Sequence, residues 1–363
     1  MNRQTTSRQP IGHYRLIDFS RTIAALAVLA LPYDRFVIDA DWGDARPGGS
    51  YLPPLQTLLH PVYTHGEYAV PFFWVISGFI FSFVYQARAV SFRAFSARRF
   101  ARLYPLHFAT LLIVAGLQLL LFLQISTTLF IPNNDPYHFL LNVFFASSWG
   151  FEDGLSFNGP IWSVSVEILV YVCFWIFIAC VPFRLIGALT MTLAFALMAR
   201  HAMLPLIALC GTMFFFGASV FFASQLLTTR GFLWASLGSA ALAALLLTFV
   251  PAVAASGTLS LALTFGPVIA ILAALDQVVG ARFRLVDIAA GIGDLSYSIY
   301  LLHFPLILVL VNGFILLGLD RALLSENPFA LVCFLLATLG LSHWSLTRFE
   351  TPARRYFQRV LGK

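Results

Sequence analysis

Glu167 is the first residue in this sequence to need a chemical explanation. It stands in the run Trp162-Ser-Val-Ser-Val-Glu-Ile-Leu-Val, about a turn and a half into a segment otherwise apolar enough to cross a bilayer. An ionisable side chain at that depth is costly, and is read first as functional. It has no cation near it in sequence, so its partner must come from another helix. Arg98, Arg99 and Arg102 form a second group, in Ser96-Ala-Arg-Arg-Phe-Ala-Arg-Leu-Tyr-Pro105. On a helix Arg98 and Arg102 share a face and Arg99 flanks it. Guanidinium forks suit phosphate, while the same residues also serve as plain anchors at a cytoplasmic surface. Asp18 and Arg21 lie three apart at the start of the first apolar run and form an interfacial ion pair. His303 lies deep in a late apolar run. A lone buried His is most often a satisfied core residue, a reading that is weaker at lipid depth.

These groups require membrane helices to hold them. The chain has 363 residues, 60% hydrophobic and 10% charged, with 37 Phe and a formal charge of +6; its mean hydropathy is +0.85. A water-facing surface usually needs about a quarter of residues charged. Soluble domains, disordered chains, coiled coils, nucleic-acid binders and disulfide scaffolds are therefore excluded. Cys173, Cys180, Cys210 and Cys333 sit in apolar runs without disulfide or zinc spacing, so no metal site is expected. The polar N-terminus lacks a small-residue cleavage site, so no removable signal peptide is expected.

Ten spans of the required length fit the sequence, at 17–37, 69–87, 104–124, 162–181, 185–200, 203–224, 231–250, 257–276, 295–317 and 327–347. Tyr137–Ser147 is too short to cross, and is expected to be re-entrant or interfacial, with its backbone covered by protein or by a water-filled cavity. With both termini in the cytoplasm, 17 of the 22 Lys and Arg fall inside and four fall outside. Counting Tyr137–Ser147 as a span would destroy that asymmetry. The expected fold is an all-α polytopic bundle, a single integral domain over 1–363 with no visible repeat, in a bacterial inner membrane. The long outer loops, 38–68 and 125–161, carry His60, His65, Glu67, Glu152 and Asp153, and loops of that length are more often functional than structural.

Six motifs then fall in a familiar order: Arg15-Leu-Ile-Asp18-Phe-Ser-Arg21, Pro71-Phe-Phe-Trp-Val-Ile-Ser77-Gly78-Phe79, Arg98-Arg99-Phe-Ala-Arg102-Leu-Tyr-Pro105, Asn158-Gly-Pro-Ile-Trp162-Ser163-Val-Ser165-Val-Glu167, Leu295-Ser-Tyr297-Ser-Ile-Tyr300-Leu-Leu-His303, and Phe349-Glu350-Thr-Pro352. Together they resemble the acyltransferase-3 family of membrane O-acyltransferases across nearly the whole chain. The resemblance implies transfer of an acyl group, commonly acetyl, from cytoplasmic acyl-coenzyme A to a hydroxyl of an extracytoplasmic glycan or lipid-linked saccharide. No cofactor is held permanently: acetyl-CoA is the expected donor substrate. It also implies that Arg98, Arg99 and Arg102 contact the donor phosphates, that Arg21 is the functional arginine of the first span, and that Glu167 is the functional carboxylate.

One position departs from the pattern. The family usually carries a catalytic His eleven residues after the first-span Arg, and here Pro32 stands there. A general base contributes about 10²–10⁴-fold, so that role must move or vanish. His65, with Glu67 two residues on, is the best-placed replacement; His60 and Asp34 follow, then His303. His138 and His201 lie outside but lack a nearby carboxylate in sequence. Two other functions compete: a silent member that binds acyl-CoA or glycan as an assembly partner, and a transporter or flippase. The transporter reading is opposed by the absence of repeated halves.

Overall fold

The computed structural model describes residues 14–31, 53–86, 90–126, 130–279 and 291–361. The regular structure among these residues is helical, with no strand. In chain order the longer helices are α1 (Arg15–Ala30), α2 (Gln56–His65), α3 (Ala69–Tyr85), α4 (Phe92–Ile125), α5 (Pro136–Val143), α6 (Ile161–Cys180), α7 (Arg184–Arg200), α8 (Pro205–Leu226), α9 (Thr229–Phe249), α10 (Gly257–Val279), α11 (Ser296–Leu316), α12 (Pro328–Ser345) and α13 (Thr351–Leu361). Eight helical runs among the described residues are long and apolar enough to cross a membrane, with α2–α3 counted as one run and α12–α13 as another. The protein is an all-α polytopic membrane protein. Two expected spans fall outside the eight because of length. α1 has 16 described residues, the rest of its expected span lying outside the described residues. α7 has 17 residues, about 25 Å at 1.5 Å per residue.

The relative directions of the helices agree with the charge asymmetry. Tyr297 at the start of α11 donates to the Leu103 carbonyl (2.6 Å), and Gln124 at the end of α4 donates to Asn312 (3.5 Å), so α4 and α11 run parallel. α6 runs against both: Ser163 near its start meets Tyr300 (2.8 Å), and Trp175 near its end donates to the Val90 carbonyl (2.9 Å). An antiparallel α4–α6 pair requires that the intervening α5 does not cross. α5 has eight residues, about 12 Å of helix, and the chain after it dips into the bundle. There Phe145 stacks on His107 of α4 (4.3 Å between ring centroids). The backbone of this re-entrant stretch is satisfied by Ser165 of α6, whose Oγ donates to the Phe145 carbonyl (2.6 Å) and accepts from the Ser148 N–H (3.2 Å). The Ser165 carbonyl accepts from the Trp149 indole (2.9 Å). Irregular backbone at membrane depth is tolerated where protein covers it in this way.

At the centre, α3 and α8 touch backbone to backbone. A Cβ on Gly78 would collide with the Phe214 carbonyl, and one on Gly217 with the Val75 carbonyl. Glycines on both helices permit the close approach that drives helix association in lipid. Around this seam Phe81, Tyr171, Phe174 and Phe214 pack edge to face or stacked, with centroids 4.5–6.1 Å apart. Arginine-bearing α4 and glutamate-bearing α6 are both packed against this cluster, which sets their spacing. At one end of α1, Asp276 of α10 accepts from the Leu16 N–H (3.0 and 3.1 Å). That satisfies one of the donors every helix N-terminus leaves free.

Candidate active site

Five helices converge on one cavity of about 310 Å³. α1 contributes Arg21; α3 contributes Trp74, Ser77, Phe81 and Tyr85; α4 contributes Arg99 and Arg102. α6 contributes Ser163, Glu167 and Tyr171, and α11 contributes Ser296, Tyr297 and Tyr300. Three guanidinium groups and one carboxylate therefore share a space with walls of aromatic and aliphatic side chains.

Each polar group is held differently. Arg21 donates to Asp18 on its own helix (3.4 Å) and to Ser296 on α11 (2.9 Å), which fixes its fork across the gap between α1 and α11. The expected Asp18–Arg21 pair forms, and Asp18 serves to aim the arginine. Arg99 lies over the Phe81 ring, its guanidinium carbon 4.6 Å from the centroid, and donates to the Tyr85 hydroxyl (3.3 Å). Its Nε is buried without a hydrogen-bond partner. The hydroxyls of Ser77 and Tyr171 and the charges of Arg99 and Arg102 act on Glu167. Even so, the Glu167 Oε1 atom is buried with no hydrogen-bond partner. Buried polar atoms are nearly always satisfied, yet Glu167 and Arg99, which both line the cavity, each keep one side-chain atom without a partner.

The family profile described as an acyltransferase domain, Acyl_transf_3, matches residues 14–346. The chain belongs to this acyltransferase family. It is also similar to acyltransferase MdmB of Streptomyces mycarofaciens, 34% identical over 159 residues, which is 42% of this chain and 36% of that protein. The chain thus spans about a third of the length of the curated relative it matches. No solved structure matches the chain.

The geometry explains why the acyltransferase motif Trp162-Ser-Val-Ser-Val-Glu needs its spacing. Residues four apart on a helix share a face, and the residue midway points away from them. Ser163 and Glu167 face the cavity, where Ser163 pairs with Tyr300. Ser165 points the other way and holds the re-entrant chain. Trp162 packs edge to face on Trp74 of α3, 5.7 Å between centroids.

Several expected site residues lie elsewhere. Arg98 is exposed and does not line the cavity. The cavity lies on the Arg99 side of α4, so the inward pair is Arg99 with Arg102 and not Arg98 with Arg102. His65 is exposed, stacked on Tyr68 (5.7 Å), and lines a separate apolar groove against α1 and α10. His303 is buried with its Nδ1 3.1 Å from the Ile299 carbonyl of its own helix, and it does not line the cavity. Asp34 and Pro32 lie outside the described residues. Among the described residues no histidine lines the cavity, and Glu167 is its one carboxylate.

One sequence expectation is corrected. His138 does have a carboxylate near it: its Nδ1 lies 2.6 Å from Asp135 Oδ2. Asp135 precedes α5 as its N-cap and accepts from the His138 N–H (3.0 Å). That backbone bond, with the imidazole beside it, holds the Asp135 carboxyl below its ordinary value. The His138 Nε2 accepts from the Asp153 N–H (3.3 Å), so both ring nitrogens are engaged in holding the outer loop together. Sequence reasoning also left Ser77, Tyr171, Ser163 and Tyr300 without roles. All but Tyr171 sit in the motifs quoted above; for Ser163 and Tyr171 the signal was a hydroxyl four residues from Glu167, and Ser77 and Tyr300 carried no such signal.

Proposed function

We propose that this protein is a membrane O-acyltransferase that moves an acyl group, with acetyl as the expected case, from cytoplasmic acyl-CoA to a hydroxyl of an extracytoplasmic glycan or lipid-linked saccharide. One observation supports this reading above the others: Glu167, one carboxylate oxygen of which has no hydrogen-bond partner, shares a single mid-bundle cavity with Arg21, Arg99 and Arg102. A cavity of about 310 Å³ is at the small end for a ligand site and suits the acyl-pantetheine end of the donor, not the whole of it. The proposed chemistry uses this chain's own groups. The acceptor hydroxyl oxygen bonds to the thioester carbonyl carbon, the C–S bond breaks, and coenzyme A departs. Glu167 takes the hydroxyl proton and returns it to the departing thiolate. Arg99 and Arg102 hold the anionic donor, and Arg21 faces the same space from α1. The membrane in question is the bacterial inner membrane, with the arginine-bearing start of α4 toward the cytoplasm.

The test is transfer from labelled acyl-CoA in inverted vesicles, comparing wild type with Glu167→Gln, His65→Ala, Asp34→Asn and His303→Ala. Glu167→Gln should reduce transfer by about 10²-fold or more, the contribution of a general base, at unchanged protein level and donor binding. His65→Ala and His303→Ala should retain transfer. Loss in Asp34→Asn or in a histidine variant, with Glu167→Gln active, would move the base to that residue. A second reading, a non-catalytic member that binds the donor, is favoured by Pro32 at the usual His position. It predicts coenzyme A binding with no turnover by the wild type on any acceptor.

A further inference from the structure

A second, smaller cavity of about 180 Å³ adjoins the first. It is lined by Arg102, Asp294, Tyr297, Glu350 and Arg354, with Leu346 and Thr351. Arg102 and Tyr297 line both cavities, so they form the shared wall. Tyr297 is locked in that wall by its bond to the Leu103 carbonyl. Glu350 is buried, at 8% exposure, and its Oε1 accepts from Ser298 of α11 (2.6 Å) and Ser345 of α12 (2.7 Å). It ends a five-residue π-helical stretch, Leu346–Glu350, between α12 and α13. Single π turns inside long helices are rare and are often found at functional sites. This one turns Glu350 inward, onto the cavity that Arg102 and Arg354 also line. α13 lies along the first turns of α4, with Phe357 on Phe100 (5.5 Å). The small cavity therefore lies at the end of the bundle that the charge asymmetry assigns to the cytoplasm.

We propose that Glu350 is a positioning residue whose carboxylate, in the small cavity it shares with Arg102 and Arg354, counters their charge and opposes the seating of donor phosphate on them. This inference rests on the acyl-CoA reading above. The argument is one of charge and size. Neither cavity alone is large enough for coenzyme A, and one of the two residues they share is an arginine. A phosphate seated on Arg102 and Arg354 would leave the pantetheine arm directed past Tyr297 toward Glu167. A buried carboxylate lining the same cavity as those two cations opposes the phosphate, as does Asp294 beside it, which weakens binding of the donor and speeds release of free coenzyme A. Glutamine can accept the same two serine hydrogen bonds, so the charge is separable from the scaffold.

The experiment is calorimetric titration of the purified full-length protein with coenzyme A, alongside transfer kinetics, for wild type, Glu350→Gln, Arg354→Gln and the double variant. Glu350→Gln should bind coenzyme A about fivefold tighter, the scale of one partly screened charge, with a lower KM for donor and a lower kcat. Arg354→Gln should bind it more weakly, and the double variant should return toward wild type. A residue with a merely structural role would lower thermal stability and leave the KM-against-kcat split unmoved. If Glu350→Gln does not accumulate, weaker binding in Arg354→Gln still supports the site, and unchanged binding in Arg354→Gln overturns it. Equal coenzyme A affinity in wild type and Glu350→Gln overturns the inference and leaves the donor reading standing. No binding by wild type overturns the donor reading and this inference with it.

Discussion

Arg99 carries three contacts that a lysine cannot reproduce together: a stack on Phe81, a bond to Tyr85, and a fork turned toward the cavity. A guanidinium offers a planar fork of donors that also stacks on an aromatic ring, whereas ammonium acts as a point charge. Arg99→Lys should therefore weaken coenzyme A binding by about tenfold, more than a conserved charge suggests. Arg98→Lys, at an exposed position, should change it little; equal effects at the two positions would reduce both arginines to surface anchors. The chemistry-bearing residue types were legible in the sequence, because Glu167 and the arginine triplet stand out at membrane depth. Which of the three arginines faces inward was not. Arg102 lies angularly between Arg98 and Arg99 on the helix, and only the position of α3 decides the side. His65 was attractive because Glu67 follows two residues later, but that spacing says nothing about the α1–α10 groove it faces.

The span pattern was readable at the level of helices because 20-residue apolar windows and arginine asymmetry are both strong signals. Their packing was not, since it depends on which small residues meet. Gly78 sits inside a motif recognised from Pro71 to Phe79, yet its role appears only against the Phe214 carbonyl. Gly78→Val should force α3 and α8 apart, and an overpacked seam costs about 1–3 kcal/mol or more. The expected result is a lower melting temperature in detergent and loss of the adjacent Ser77–Glu167 arrangement; an unchanged melting temperature would mean that the seam relaxes freely. The short helix α5 shows the same limit. Its length ruled out a crossing, but the sequence left it either re-entrant or interfacial. Ser165 decides in favour of a covered, inward-dipping chain by satisfying both Phe145 and Ser148.

For the whole molecule, the parallel α4–α11 pair, with α6 antiparallel to both, brings motifs from opposite ends of the bilayer to one depth. Arg99 and Arg102 enter from the side rich in arginine, and Glu167 enters from the side carrying the outer loops. A donor and an acceptor approaching from opposite faces would meet between them. Reporter fusions near Gly154 should accordingly report the extracytoplasmic side and fusions after Leu361 the cytoplasm. A cytoplasmic signal at Gly154 would contradict the antiparallel arrangement of α4 and α6 across the bilayer. The most direct test of the central claim is whether the reactive carbon of the donor reaches Glu167. In a background lacking Cys173, Cys180, Cys210 and Cys333, Ser77→Cys places a nucleophile beside Glu167. Bromoacetyl-coenzyme A, added to the cytoplasmic face of inverted vesicles, should alkylate position 77, and excess coenzyme A should protect it. His65→Cys in the same background should not be protected. Alkylation at position 65 with coenzyme A protection, and none at position 77, would contradict the account and move the acyl site to the outer groove.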